Sequence, residues 1–314
     1  MYFLGVDGGQ SSTKAVIGDE GGRILGRGEA GPCNHVESEA GREKLVAAVS
    51  ESISAAVCAA GLSWPIRFAG ACFGMSGGSE DKRDIIASIV QAERLEVTHD
   101  AHIALLGATG GEPGIIVIAG TGSIAYGRNA ESRTARAGGW GHIFGDDGGG
   151  FDLVRQALRA ALRREEGWGP PTVLGRRLLE ATGAATINEV LHLFYTREYP
   201  RDRVAAFASL VDATAMEGDA VARNLLQQAA QQLATLAGNV RTQLFAPGQS
   251  LYVTPIGGVF RSSMLAEWFR ILVELEKGCA VGPPKYDPAI GGLLAAYMNA
   301  GLTAKVEETR GARP

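Results

Sequence analysis

Apolar and polar positions change period several times along the chain, and each change marks an element. Over the first thirty residues, apolar stretches at 2–7, 12–18 and 24–30 are separated by DGGQSS and by DEGG at 19–22. Gly/Asp connections of that length are too short for a parallel crossover, so the spacing predicts a three-stranded antiparallel meander. Leu45, Val49, Ile53, Ala56, Val57 and Ala60 then recur at helical spacing and stop at Gly61. An apolar run at 67–75, a helix at 82–92 and a short strand at 94–98 complete a βββαβαβ series. The pattern then restarts. Residues 114–120, 123–128 and 133–138 predict a second meander, followed by mainly helical sequence from about 148 to 245. Within it Leu225, Leu226, Ala229, Leu233, Leu236, Val240 and Leu244 trace one long amphipathic helix. A strand at 251–257, a helix from Ser262 and a closing helix over 288–302, opened by Pro288 and ended by Gly301, resume the alternation. The last dozen residues read as frayed. Two similar halves with a cleft between them is the economical organisation.

Composition sets no obstacle to that reading. A chain of 314 residues, 46% hydrophobic and 20% charged, can bury a large core and has the length for two domains. Thirty basic against 34 acidic residues give a net charge of −4, which argues against a nucleic-acid partner. No charged-then-apolar leader occurs, and no apolar run approaches the roughly 20 residues that span a bilayer, so the expectation is a soluble, cytoplasmic protein with no membrane partner. Cys33, Cys58, Cys72 and Cys279 lack CxxC spacing and are expected to be ordinary buried or half-buried side chains.

Candidate chemistry begins with a device written twice. LGVDGGQSSTK at 4–14 and VIAGTGS at 117–123 each run an apolar strand into a Gly- and hydroxyl-rich turn. Such turns let successive backbone N–H groups converge on an anion without interference from Cβ atoms. Two of them point to a phosphate chain gripped from both sides and to nucleotide-dependent phosphoryl transfer. Asp7 ends a buried strand just before Gly8 and Gly9, where an ionised carboxylate needs a cation or donors. A Mg²⁺ ion and the turn's N–H groups would supply both, with Ser11, Ser12 and Thr13 adding hydroxyls; an ordinary Asp-Gly hairpin is the competing reading. Gly120, Thr121, Gly122 and Ser123 form the second cradle, which is neither a Walker loop nor a Rossmann fingerprint. GGWGHIFGDDGGG at 138–150 holds seven glycines in thirteen positions, a cost in folding entropy that implies close approach of something to its backbone. Asp146 there suits a sugar hydroxyl or a metal-bound water, Asp147 equally suits the start of the next helix, and His142 reads as structural. Asp100, after the strand at 94–98, is either a general base for an attacking hydroxyl or the cap of the helix that follows. His99 and His102 lack a third ligand for zinc.

The pattern as a whole resembles the sugar-kinase, heat-shock-chaperone and actin superfamily. More narrowly, it is similar to the N-acetylglucosamine kinase group of the BadF/BadG/BcrA/BcrD ATPase family, which also includes activator ATPases of benzoyl-CoA reductase and hydroxyacyl-CoA dehydratase. The resemblance rests on Asp7 to Thr13, Gly120 to Ser123, GGWGHIFGDDG at 138–148 and GGVFRS at 257–262, the last similar to an adenosine-binding turn. It implies an α/β fold of two duplicated ribonuclease-H-like (actin-like ATPase) domains with an interdomain cleft, one formed by 1–113 with 287–303 and the other by 114–286. ATP would be bound by Asp7, Gly8, Gly9, Ser11, Ser12, Thr13, Gly120, Thr121, Gly122, Ser123, Gly257, Gly258 and Arg261, and Mg²⁺ by Asp7 and Asp146. The sugar would meet Asn34, Ser76, Gly77, Gly78, Thr121, Gly139 and Asp146, with Asp100 as base. Gly149 stands where the kinases often carry Ser, and Val36 where an aromatic follows the Asn-His pair in some amino-sugar kinases.

The function so implied is ATP-dependent phosphorylation of the 6-hydroxyl of N-acetylglucosamine or glucosamine by a homodimer. Two other classes compete: an ATPase that drives a conformational change in a partner enzyme, and a sugar sensor without chemistry. The four cysteines do not suggest the iron–sulfur cluster of the dehydratase activators, and intact phosphate motifs with Asp100 speak against a lost activity.

Overall fold

The computed structural model describes residues 1–9, 11–33, 39–77, 81–303 and 305–306. Among the described residues twelve strands follow one another: β1 Tyr2–Gly8, β2 Thr13–Asp19, β3 Ile24–Ala30, β4 Arg67–Phe68, β5 Gly70–Met75, β6 Gln91–Ala92, β7 Leu95–His99, β8 Gly114–Ala119, β9 Ser123–Arg128, β10 Thr134–Gly138, β11 Leu251–Ile256 and β12 Cys279–Val281. Ten of them make two five-stranded sheets, ordered β3-β2-β1-β5-β7 and β10-β9-β8-β11-β12. Each sheet begins as an antiparallel meander and then adds two parallel strands beside its first strand. The same topology therefore occurs twice in one chain. The chain divides into two compact units, Met1–Glu112 with Pro284–Pro314, and Pro113–Pro283.

In the first unit, strand alternation distributes β1 between two layers. Leu4 and Val6 pack with Leu45, Val49, Ile53 and Val57 of the helix Glu39–Ala59. Phe3 faces the other way, into a cluster with Ile103, Leu106, Leu293 and Tyr297 from the helices Asp100–Thr109 and Pro288–Asn299. Gly5 shares that second face, where a Cβ would collide with the backbone at Leu293 and Ala289. Gly291 meets the carbonyl of Ile103 in the same way, and Gly107 that of Asp287. The closing helix thus reaches β1 and the helix Asp100–Thr109 backbone to backbone. It starts as its sequence dictates: the Asp287 side chain accepts from the Ile290 amide at 2.9 Å, and Pro288 occupies the first turn.

In the second unit, the crossover between the third and fourth strands of the sheet is enlarged into helices at Gly141–Phe144, Gly150–Glu165, Leu174–Thr182, Ile187–Leu193, Arg201–Ala206, Ala208–Met216 and Ala220–Leu244. The last of these lays Leu226, Leu233 and Val240 against Ile115, Val117 and Ala125 of the sheet. A satellite cluster of Val154, Leu158, Leu178, Ile187, Val190 and Val204 holds the remaining helices together.

Three expectations are corrected. The helix expected from 44 begins at Glu39. The helix expected over 82–92 spans only Arg83–Ile89, because Val90 is extended (φ −115°, ψ 129°) and Gln91–Ala92 pairs in parallel with Arg67–Phe68. Cys58 is exposed, whereas Cys33 and Cys72 are buried.

Replacing Gly5 or Gly291 with Ala is expected to destabilise the fold by at least about 1–3 kcal/mol, since backbone atoms cannot move aside as a rotamer can. The urea midpoint should fall with an unchanged m-value; a midpoint equal to that of the unmodified protein would show that the helix can shift freely.

Candidate active site

β1, β5 and β7 run parallel and end side by side at Gly8, Met75 and His99. Polar residues that follow these ends gather there. Asp7 lies on the Gly5 face of β1, opposite Lys14 of β2, whose side chain is exposed. The Asp100 carboxylate is exposed and held at two points: Oδ2 accepts from the Ser76 hydroxyl at 2.7 Å, and Oδ1 from the Ala101 amide at 2.7 Å. The helix cap itself is His99, whose Nδ1 accepts from the His102 amide at 3.1 Å. Asp100 is therefore the first helical residue, with its carboxylate oriented by a serine.

Burial, reinforced by the charges of Asp100 and Asp287 and only partly offset by Lys14, pushes the Asp7 carboxyl up from 3.8 to about 6. A cation beside Asp7 would relieve this repulsion, although among the described residues no group of three acidic, histidine or cysteine side chains is arranged to hold a metal ion. In the turn that follows, the Gly9 amide donates to the Ser12 carbonyl at 3.0 Å and the Ser76 amide to Gly8 at 3.0 Å. Ser11 is exposed and Ser12 half-buried, free to face a ligand. Thr13 is a correction: its hydroxyl is fully buried, donating to the Gly31 carbonyl at 2.9 Å and lying 3.0 Å from Cys33 Sγ, so it ties the turn internally. The missing Cβ of Gly8 likewise makes room for Met75 and Cys33. Gly77, two residues beyond the end of β5, adopts φ 76°. Asn34, Val36 and Gly78 lie outside the described residues.

The second cradle is built with backbone. Gly150 and Phe151, at the start of the helix Gly150–Glu165, donate to the carbonyls of Gly120 and Thr121 at 2.8 and 3.1 Å. Ser123 is another correction, since its buried hydroxyl donates to the Asp147 carbonyl at 2.6 Å and so anchors the glycine-rich segment. A Cβ on Gly120 or Gly258 would meet nothing within 4 Å, so both leave an open face. Both line a pocket of about 440 Å³ together with Thr121, Arg261, Ser209, Asp212 and Leu226. Gly257 (φ 111°) seats this turn on the Ala119 carbonyl. Asp212 accepts from the Ser262 hydroxyl, which also caps the helix Ser263–Glu274.

In the segment 138–150, Gly139 (φ 72°) packs against Ile124 and donates its amide to Ser123 at 2.9 Å. Asp146 is buried and salt-bridged to Arg201 at 2.8 Å, with its other oxygen 3.3 Å from the Ser123 amide. A metal ion at this carboxylate would have to sit against a guanidinium, so the metal role read for Asp146 is withdrawn. Asp147 does not open the helix; Gly149 caps it, and Asp152 in its first turn accepts from the Gly148 amide at 3.0 Å and from Arg155 at 2.7 Å. His142 stacks edge-on against Phe151, as a structural residue would. Arg201, Asp152, Arg155 and Asp212 carried no sequence signal: each is an ordinary helical residue until the fold supplies its partner.

A doubled α/β sheet of this order, with glycine turns after the first strand of each, defines a pair of ribonuclease-H-like, actin-like ATPase domains. The chain belongs to the BadF/BadG/BcrA/BcrD ATPase family, whose model matches residues 4–296. It is 32% identical to the N-acetylmuramic acid/N-acetylglucosamine kinase of Clostridium acetobutylicum over 94% of this chain and 98% of that protein. It is 27% identical to the N-acetyl-D-glucosamine kinase of Dictyostelium discoideum over 94% and 97% of the two chains. A solved structure from Chromobacterium violaceum, provisionally described as an N-acetylglucosamine kinase, superposes with a TM-score of 0.73 at 29% identity, covering 93% of this chain and 98% of the other. The fold is shared with the ROK family glucokinase of Streptomyces griseus, at a TM-score of 0.55 and 20% identity over 95% and 99%.

The raised Asp7 value has a stability consequence of definite sign. The unfolded chain ionises Asp7 near 3.8 and the folded one near 6, so the ionised form destabilises the ligand-free fold. The penalty is absent below the lower value and complete above the upper one. Asp7→Asn is expected to stabilise the ligand-free protein by about 1–3 kcal/mol at about pH 8, with the gain in melting temperature fading as the pH approaches 4. A lower melting temperature for the variant at pH 8 would show that the carboxylate is satisfied in the fold.

Proposed function

We propose that this protein is an ATP-dependent amino-sugar kinase that transfers the γ-phosphoryl group to the 6-hydroxyl of N-acetylglucosamine or glucosamine. The observation that carries the reading is Asp100: a solvent-accessible carboxylate, aimed by Ser76 and the Ala101 amide, two strand positions from Asp7 across β5. The kinase names of relatives covering almost the whole chain support it.

In this reading Asp100 accepts the proton of the attacking sugar hydroxyl as its oxygen bonds to the γ-phosphorus, and the bond from that phosphorus to the β,γ-bridging oxygen breaks to release ADP. Mg²⁺ bound with the nucleotide would neutralise phosphate charge, and Asp7 is the residue that would hold it. Ser11 and Ser12 present N–H and hydroxyl groups to phosphate oxygens, as does the backbone of Thr121 and Gly122, while the Gly9 and Gly120 amides close their own turns on the Ser12 and Gly122 carbonyls. The pocket lined by Gly258 and Arg261 receives the adenosine. Ser76, Gly77, Thr121 and Gly139 are assigned to the sugar.

The test is ADP production from MgATP with N-acetylglucosamine, glucosamine, N-acetylmuramic acid, N-acetylmannosamine and glucose. Sugar-dependent turnover is expected, and Asp100→Asn should lower kcat by about 10²–10⁴ while leaving nucleotide binding intact. ADP release indifferent to every sugar, or a kcat unchanged in the variant, would sink the assignment.

A further inference from the structure

Asp146 is tightly constrained within the second unit. It is one of two non-glycine residues with positive φ among the described residues, at 62°, a conformation that persists only where surrounding contacts enforce it. Its carboxylate occupies space that exists because residue 122 is glycine; a Cβ there would lie 2.5 Å from it. One oxygen accepts from the Ser123 amide in the phosphate-binding turn and the other from Arg201. Arg201 opens the helix Arg201–Ala206, and its guanidinium lies 5.7 Å from the centre of the Phe151 ring, whose own amide donates to the Thr121 carbonyl. The Arg201 Nε is buried with no hydrogen-bond partner. What the placement achieves is the orientation of Asp146.

We propose that Arg201 is a positioning residue for the phosphate turn 120–123. Acting through Asp146 it fixes the Ser123 amide and the backbone around it, and with Phe151 it holds the turn from a second side. Its charge also reserves Asp146 for this task and keeps the carboxylate off the metal ion. The proposal rests on the reading of this turn as a nucleotide site and extends it to a residue outside every glycine motif. A charge-assisted hydrogen bond depends on length and geometry, so lysine at 201 would preserve part of the effect and alanine none.

Titration calorimetry of AMPPNP, with and without Mg²⁺, on the full chain separates the possibilities. Arg201→Ala is expected to weaken AMPPNP about tenfold under both conditions, the scale of one charge-assisted bond, while KM for the sugar changes by less than about twofold. Arg201→Lys should recover part of the loss, and the double variant Arg201→Ala/Asp146→Asn should bind no more weakly than the worse single variant. Melting curves confirm that each variant is folded; if Arg201→Ala is not, Arg201→Lys and Asp146→Asn carry the test. Unchanged AMPPNP affinity in a folded Arg201→Ala, or in Asp146→Asn, overturns the proposal. So does a loss in Asp146→Asn confined to the Mg²⁺-loaded nucleotide, which would return that acid to the metal. Nucleotide binding without sugar phosphorylation would defeat the kinase reading and leave this role to be decided by the same titrations. A wild-type chain that binds no AMPPNP defeats both.

Discussion

Backbone contact at Gly5, Gly107 and Gly291 is the constraint on which the chemistry of the first unit depends. Because these positions carry no Cβ, the helices Asp100–Thr109 and Pro288–Asn299 lie directly on each other and on β1. That depth of packing brings the residues at their starts, Asp100 and Asp287, up to Asp7. The electrostatics follow: the charges of Asp100 and Asp287 add to burial in raising the Asp7 carboxyl to about 6. A packing decision in the apolar layer thus becomes a charge at the strand ends. Asp287 is also held by Arg27 at 2.7 Å and spends one oxygen on the Ile290 amide, so of the three acids it is the most committed to structure. Asp100 is aimed by weaker, neutral donors and stays accessible, as a proton acceptor must.

The second unit repeats the topology and reverses the electrostatic outcome. Several acids near its glycine turns are met by donors, Asp146 by Arg201, Asp152 by Arg155 and the Gly148 amide, and Asp212 by Ser262, while Asp147 is exposed. Asp7 in one copy of the fold sits among further carboxylates, whereas Asp146 in the other is paired with a guanidinium. What the second copy presents outward is mainly backbone and open space, at Gly120 and Gly258 beside the pocket of about 440 Å³. Duplicated sheets have therefore diverged into an acid-rich strand end and a cradle of amides and apolar wall. Such a division suits a reaction in which one partner must lose a proton and the other carries several negative charges.

Glycine spacing and strand periodicity made most of the architecture legible before any coordinates. Both meanders, the long helix ending at Leu244 and the capped closing helix follow from alternation, short Gly/Asp connections, and an Asp-Pro start. The weak points were local. Residues 82–92 carry helical apolar spacing, yet Gln91–Ala92 is drawn into pairing with Arg67–Phe68, a tertiary preference that no local pattern encodes. Hydroxyls were harder still: Ser11, Ser12, Thr13 and Ser123 look alike in sequence, but Thr13 and Ser123 are turned inward to hold turns together.

The sequence by itself determined which segments are strands, where the backbone must bend through glycine, and which acid follows each strand, because these depend on local sterics and on period. It could also show that the chain carries the same strand-and-turn device twice. Only the tertiary structure decided which of those acids keep an unmet charge. Asp7 and Asp146 occupy comparable places in the sequence pattern, each beside a glycine pair or run. One is crowded by two further carboxylates and the other is bound to an arginine fifty-five residues later in the chain. Partner choice across that distance is set by how helices pack on a sheet, and it is that choice which separates a carboxylate fit for a cation from one fit to hold a loop.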